Sequence, residues 1–187
     1  TVFATITVTP SYENNGIVCE VSPETFTILV NPLPTMDALQ DLVLCNNETT
    51  SIIEFVTSNS DGNTTYSWVN DNTSFGLPSS GNGDLPAFTA NNLSTVTSTA
   101  LISVTPTYEN NGVVCIGTSQ TFTINALSEI QLSGTINDAI DCDNSNSGSI
   151  DLTVSGGSGT YEYLWSNNSI NEDLINLTSG DYSVAVT

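Results

Sequence analysis

Two segments of this chain are near copies of each other, and no other feature narrows the fold as much. Ile6–Ile28 (ITVTPSYENNGIVCEVSPETFTI) and Ile102–Ile124 (ISVTPTYENNGVVCIGTSQTFTI) align without a gap at an offset of 96, identical at 15 of 23 positions. A period of that size means serial copies of one structural unit. A fainter echo supplies a second landmark: Cys45 precedes Trp68 by 23 residues, and Cys142 precedes Trp165 by 23. Three stretches follow from these marks. Residues 1–34 read as the C-terminal part of a preceding unit, 35–127 as a complete unit, and 128–187 as the N-terminal part of the next. Asn31-Pro32-Leu33-Pro34 makes a stiff, extended joint, and Asn125–Glu129 stands at the matching place. The chain opens within one expected strand (Thr1–Thr9) and closes within another (Asp181–Thr187), as a piece of a longer array would.

Within each unit the apolar residues alternate. Ala100, Ile102 and Val104 point one way while Thr99, Ser103 and Thr105 point the other. Phe122 and Ile124 continue the pattern, as do Ile150, Leu152 and Val154, then Tyr161, Tyr163 and Trp165, then Tyr182, Val184 and Val186. Period-two runs broken by Gly, Asn, Pro and Ser clusters predict half-buried antiparallel strands. Thr35–Gln40 has room for one turn of helix, and nothing longer is expected. Units of about 90 residues with seven or so short strands fit an immunoglobulin-like sandwich. The fold class expected is therefore all-β, with tandem immunoglobulin-like antiparallel sandwiches in a repeat array. Glu-Asn-Asn-Gly, at Glu13–Gly16 and Glu109–Gly112, supplies the positive φ angles of a tight hairpin turn, with Cys19 or Cys115 just past its tip. Trp68 and Trp165 are expected as core anchors.

Charge removes whole classes of function. The chain has no Lys, Arg or His against 20 Asp plus Glu, a formal charge of −20. Nucleic acid is excluded as a partner, because phosphate binding needs cationic side chains to displace counterions. An anionic membrane surface is disfavoured for the same reason, and no apolar run is long enough to span a bilayer. Without His, Lys or Arg there is no catalytic triad, no Schiff base and no cationic clamp on an oxyanion. Ser158, in Gly-Gly-Ser-Gly-Thr, misses the nucleophile-elbow pattern and has no base to serve it. Only a carboxylate pair remains for chemistry, and scattered acids always offer such pairs. No enzyme is expected. The four cysteines lie no closer than 26 residues apart and form no CxxC pair, which argues for structural disulfides in an oxidising compartment over a zinc site.

The last third of the chain resembles a known repeat. Gly148-Ser149-Ile150, Ser155-Gly156-Gly157, the aromatic run Tyr161–Ser166 and the segment Leu177–Tyr182 reproduce the pattern of the SprB-type repeat of flavobacterial gliding adhesins. The middle unit resembles the PKD-like modules that accompany such repeats in large Bacteroidota surface proteins. It departs from ordinary PKD domains in reading Trp68-Val-Asn-Asp-Asn72 where they carry Trp-Asp-Phe-Gly-Asp-Gly. The resemblance implies a long extracellular protein, exported by the type 9 route, whose repeats space or present an adhesive tip. It also implies one cysteine after the first strand and a second in the last hairpin of each module, which pairs Cys45 with Cys115. Cys19 then pairs with a residue before residue 1 and Cys142 with one after residue 187. The competing scheme joins Cys19 to Cys45 and Cys115 to Cys142, across neighbouring units. A Cys45–Cys115 bond closes a loop of about 70 residues, worth roughly 4 kcal/mol in chain-entropy models.

Two further ligand classes arise from the residues alone. Asp141-Cys-Asp-Asn-Ser-Asn-Ser-Gly148 alternates oxygen side chains as an EF-hand loop does, but lacks its Gly at the sixth place and Glu at the twelfth. Turn chemistry through the backbone is the commoner use of such residues; if calcium binds, Asp141, Asp143 and Asp151 are the candidate ligands, and no other cofactor is expected. Six N-x-S/T sequons occur, as the composition itself predicts. The leading reading is a spacer or adhesion module at the cell surface. Its partners are neighbouring units of the same chain, with surface polysaccharide or other cell-surface proteins as targets. The alternative is a carbohydrate-binding module of an extracellular hydrolase, which requires Tyr12, Tyr108, Trp68 and Trp165 to form an exposed strip.

Overall fold

Strand alternation drives the architecture throughout. The computed structural model describes residues 1–137 and 146–187. Its regular structure is β throughout, apart from one 3-10 turn at Thr73–Phe75. The first stretch holds β1 (Val2–Val8), β2 (Ser11–Asn14), β3 (Ile17–Glu20) and β4 (Glu24–Val30). The middle unit holds β5 (Leu42–Leu44), β6 (Asn63–Asn70), β7 (Ser80–Asn82), β8 (Ser98–Asn110), β9 (Val113–Ile116) and β10 (Gln120–Ala126). The third stretch holds β11 (Ser128–Asn137), β12 (Gly148–Gly157), β13 (Tyr163–Trp165), β14 (Leu174–Leu177) and β15 (Val184–Val186).

The middle unit is organised by its longest strand. β8 pairs with β6 on one side and with β10, then β9, on the other, and the sheet runs β5-β10-β8-β6-β7. Every pairing is antiparallel except that of β5, which lies parallel to β10. Pro106 cannot donate to a ladder; it falls between the last rung to β10 (Val104–Gln120) and the first rung to β9 (Thr107–Ile116). The inward residues of three strands, Tyr66, Trp68, Ala100, Ile102, Val104, Phe122, Ile124 and Ala126, are all buried. The layer that covers them is not a second regular sheet. It consists of two irregular segments, 46–57 and 84–92, tied by backbone bonds such as Thr50 N to Phe88 O (2.9 Å) and the reciprocal Ile53–Leu85 pair (3.0 Å each). From it come Phe55, Leu85, Phe88 and Ala90 to the core.

Asn-Gly turns form as the sequence predicts, with φ of 48° and 78° at Asn15-Gly16 and of 50° and 76° at Asn111-Gly112. The helical turn expected at Thr35–Gln40 does not form. Thr35 N donates to Asn59 Oδ1 (2.7 Å), and Asp37 N to Val56 O (3.0 Å), so the donors that a helical turn would leave free already bond to distant partners. The 3-10 turn sits elsewhere because Asn72 Oδ1 accepts from Ser74 N (3.1 Å) and Gly76 ends it at φ 82°. Asp41 fastens the lead into β5 to the neighbouring strand: its Oδ1 accepts from Thr123 N at 2.7 Å. The Thr123 backbone amide, with the Thr123 side chain, holds the Asp41 carboxyl below its ordinary pKa.

In the third stretch β11, β12 and β14 form one sheet and β13 with β15 another. Leu152, Trp165, Leu174 and Leu177 are buried between them, flanked by Ile150, Val154, Tyr163 and Val184. The first stretch has strands but no core. β1 and β4 pair over their full length, Val2–Val30 through Val8–Glu24, yet Ile6, Phe26 and Ile28 are 37%, 52% and 48% exposed. Their counterparts in the repeat, Ile102, Phe122 and Ile124, are 0%, 3% and 1% exposed.

This packing can be tested in two ways. With 20 carboxylates and no cationic side chain, self-repulsion is relieved only by dissolved ions. Raising NaCl from about 0.01 M to about 0.5 M, which shortens the screening length from roughly 30 Å to a few ångströms, should raise the melting temperature by several degrees; a flat or falling value contradicts this. Gly81 lies against the Trp68 ring, and a Cβ there would stand 2.2 Å from Trp68 Cζ2. Gly81→Ala should lower the stability of the middle unit by about 1–3 kcal/mol, read by denaturant unfolding.

Candidate adhesive surface and cysteine sites

Side chains that could carry chemistry are spread thinly over this fold. The hydroxyl groups of Thr65, Ser67, Thr105, Thr107 and Thr123 lie on the outer face of the β6-β8-β10 sheet, opposite the core. An open groove of about 610 Å³ along β6 and β7 is lined by Thr64, Thr65, Ser67, Asn82, Asp84 and Thr107. It presents hydroxyls, an amide and one carboxylate. Such a surface can take hydrogen bonds from a polar partner but offers no nucleophile with a base. Tyr66, whose ring borders the groove, has its phenol pKa raised by burial first, and then by the Asp37 and Asp84 charges.

The aromatics do not form a strip. Tyr108, Trp68 and Trp165 are buried at 0%, 3% and 4% exposure, and only Tyr12 is open, at 67%. Tyr108 donates its hydroxyl to Ser60 O (2.8 Å), and Trp165 Nε1 donates to Asn171 O (2.8 Å). Both tryptophans are core anchors, as their sequence positions predict. Tyr12 is the repeat counterpart of Tyr108, and it lies exposed on the β2–β3 hairpin of the first stretch, which has no core.

Of the three candidate calcium ligands, Asp141 and Asp143 lie outside the described residues. Asp151 is exposed on β12, in register with Thr135 of β11. Among the described residues no group of three Asp, Glu or Cys side chains comes together as a metal site. Several sequon asparagines instead close turns on themselves. Asn72, Asn92 and Asn167 accept, through Oδ1, from the backbone N–H two residues on, at 3.1, 3.0 and 3.0 Å. Asn92 is buried, and its amide also donates to Val96 O and Ala126 O (2.8 Å each). The Asn-rich composition is turn chemistry at these three positions.

Sheet register does not bring Cys45 and Cys115 together. Cys45 follows Leu44, which pairs with Ala126, which pairs with Ser98. Cys115 pairs with Tyr108. The two cysteines thus stand at opposite ends of β8, ten residues apart along it, or about 33 Å at a strand's rise. A disulfide needs Cα atoms within about 7 Å. Cys19, Cys45 and Cys115 form no disulfide with one another, while Cys142 lies outside the described residues. The competing Cys19–Cys45 pair fails on the same ground: Cys19 sits past the Val8 end of β1, away from the middle unit.

What the hairpin end does touch is the boundary with the first stretch. Asn31 Nδ2 donates to Asn110 O (3.2 Å) and to Val113 O (3.5 Å), and Asn110 Nδ2 donates back to Asn31 Oδ1 (3.2 Å). Thr1 Oγ1 lies 3.3 Å from the Tyr108 hydroxyl. A Cβ on Gly117 would stand 2.5 Å from Pro34 O, so the linker lies directly against that glycine. In the sequence Asn31 reads only as the start of a linker; its place before Pro32 in a repeat joint is the available signal. No curated protein matches the chain. The family model described as the SprB repeat does match it, over residues 134–169, so the third stretch contains a repeat of the kind found in cell-surface adhesin-like proteins.

Proposed function

We propose that this chain is a run of spacer units from a large cell-surface adhesin, with the sandwiches giving reach and polar surface and an adhesive part of the same protein making the specific contact. The observation that carries this reading is the SprB repeat at residues 134–169, joined through Ser128 to a sandwich that is itself part of a repeat. The fold supports it in two ways. Both tryptophans serve the cores and not a ligand platform, and its outer sheet face is hydroxyl-rich. An enzymatic role has no support in the residue types present.

In this reading the middle unit is a PKD-like module, export follows the type 9 route, and the array serves adhesion of the gliding kind. Residues 1–34 are the closing half of a unit built like residues 35–127. The support is the exposure contrast between Ile6, Phe26 and Ile28 and their buried counterparts. A two-stranded ribbon with one apolar face is marginal in water, and the segments that cover that face in the middle unit belong to residues 35–97. Calcium at Asp141, Asp143 and Asp151 is part of the proposal: a divalent ion would offset charge that no side chain can.

Antibodies against this chain should label intact, unpermeabilised cells of the source organism. Labelling only after lysis would overturn the surface assignment. Addition of about 1 mM calcium, in the range where extracellular modules bind, should raise the melting temperature, and Asp141→Asn with Asp143→Asn should abolish that rise. An unchanged melt retires the calcium site.

A further inference from the structure

In the middle unit the two cysteines stand at opposite ends of β8. Cys45 lies at the exit end of the middle unit. It follows Leu44, whose carbonyl accepts from Leu127 N at 2.8 Å, so it sits beside the residue that leads into Ser128. Cys115 lies at the entry end, two residues along β9 from Val113, or about 7 Å. The repeat offset of 96 makes Asn31 the counterpart of Leu127. A cysteine at the Cys45 position of the first unit would therefore sit beside Asn31. Asn31 in turn holds the hairpin tip of the middle unit through Asn110 O and Val113 O. The two thiol positions that stand at opposite ends of a unit thus both fall next to residues of the same boundary contact.

We propose that units of this type are cross-linked in series, Cys115 forming a disulfide with the cysteine at the Cys45 position of the unit before it. Cys45 itself is then left for the hairpin cysteine of the unit after. In the bond-forming step two thiols lose two protons and two electrons to the disulfide of a protein thiol oxidase, which leaves as a dithiol. The contact that aligns them is already built: three side-chain bonds join Asn31 and Asn110 to the opposing segment, and Tyr108, the cross-strand neighbour of Cys115, is buried against Gly62 and Thr1. The proposal rests on reading residues 1–34 as the closing half of a unit.

The test extends the chain by a copy of residues 35–96 placed before Thr1, which is the repeat counterpart of Thr97. The extended protein then carries a whole first unit with its own cysteine at the Cys45 position. After oxidation with glutathione disulfide, peptide mapping without reduction should recover the added cysteine joined to Cys115. Cys115→Ser should leave the added cysteine as a free thiol, while Cys19→Ser should leave the cross-link intact. Hydrogen exchange on the same sample separates the two ideas. If the amides of β1 and β4 become protected but the added cysteine is free or joined to Cys19, the cross-link is wrong and the unit reading stands. If those amides stay open, the unit reading falls and the cross-link with it.

Discussion

The burial of one face of β8 is the constraint on which the middle unit depends. Ala100, Ile102, Val104, Pro106 and Tyr108 all point inward and are essentially inaccessible, and three other strands take their register from the same backbone. Each inward side chain removes apolar surface from water at roughly 25 cal/mol per Å², and a slip by one residue would turn the whole set outward. The covering layer can be irregular because the register is fixed elsewhere. Two loosely bridged segments suffice, provided they deliver Phe55, Leu85 and Phe88 to the right depth.

Electrostatics sets the second constraint. Ordinary surfaces balance charge by interspersing signs, and no side chain of this one carries a positive charge. The carboxylates that do structural work accept from backbone amides instead: Asp41 from Thr123, Asp71 from Leu101, Asp84 from Phe55 and Asp173 from Leu152. Hydrogen bonds to a charged acceptor are the stronger kind. The acids thus act as pins between segments, and the neutral hydroxyl and amide side chains supply the rest of the polar surface.

Much of this was legible in the residues because the signals were local. Alternation named the inward sets, and Asn-Gly placed both hairpin turns. The repeat offset marked the joints, where Asn31 and Ser128 are found. The failures were of another kind. Nothing local in residues 46–57 says that this segment will be bridged and irregular, since that depends on contacts with residues 85–90 across the chain. The helical turn at Thr35–Gln40 lost to long-range bonds from Val56 and Asn59. The cysteine pairing is carried by position along the chain, whereas counting rungs separates the two residues: Leu44 and Cys115 attach to β8 through ladders ten residues apart.

The parallel pairing of β5 on β10 has a mechanical consequence. The chain enters the middle unit at the Gly117 end, descends through Leu42–Leu44, and leaves at the opposite end after Ala126. A pull on the two ends therefore runs along both strands in opposite senses. The rungs between them, with the Leu127–Leu44 bond beyond, are strained together in shear and cannot be opened one at a time like a zip. Tension is met first by the pair of strands best arranged to resist it.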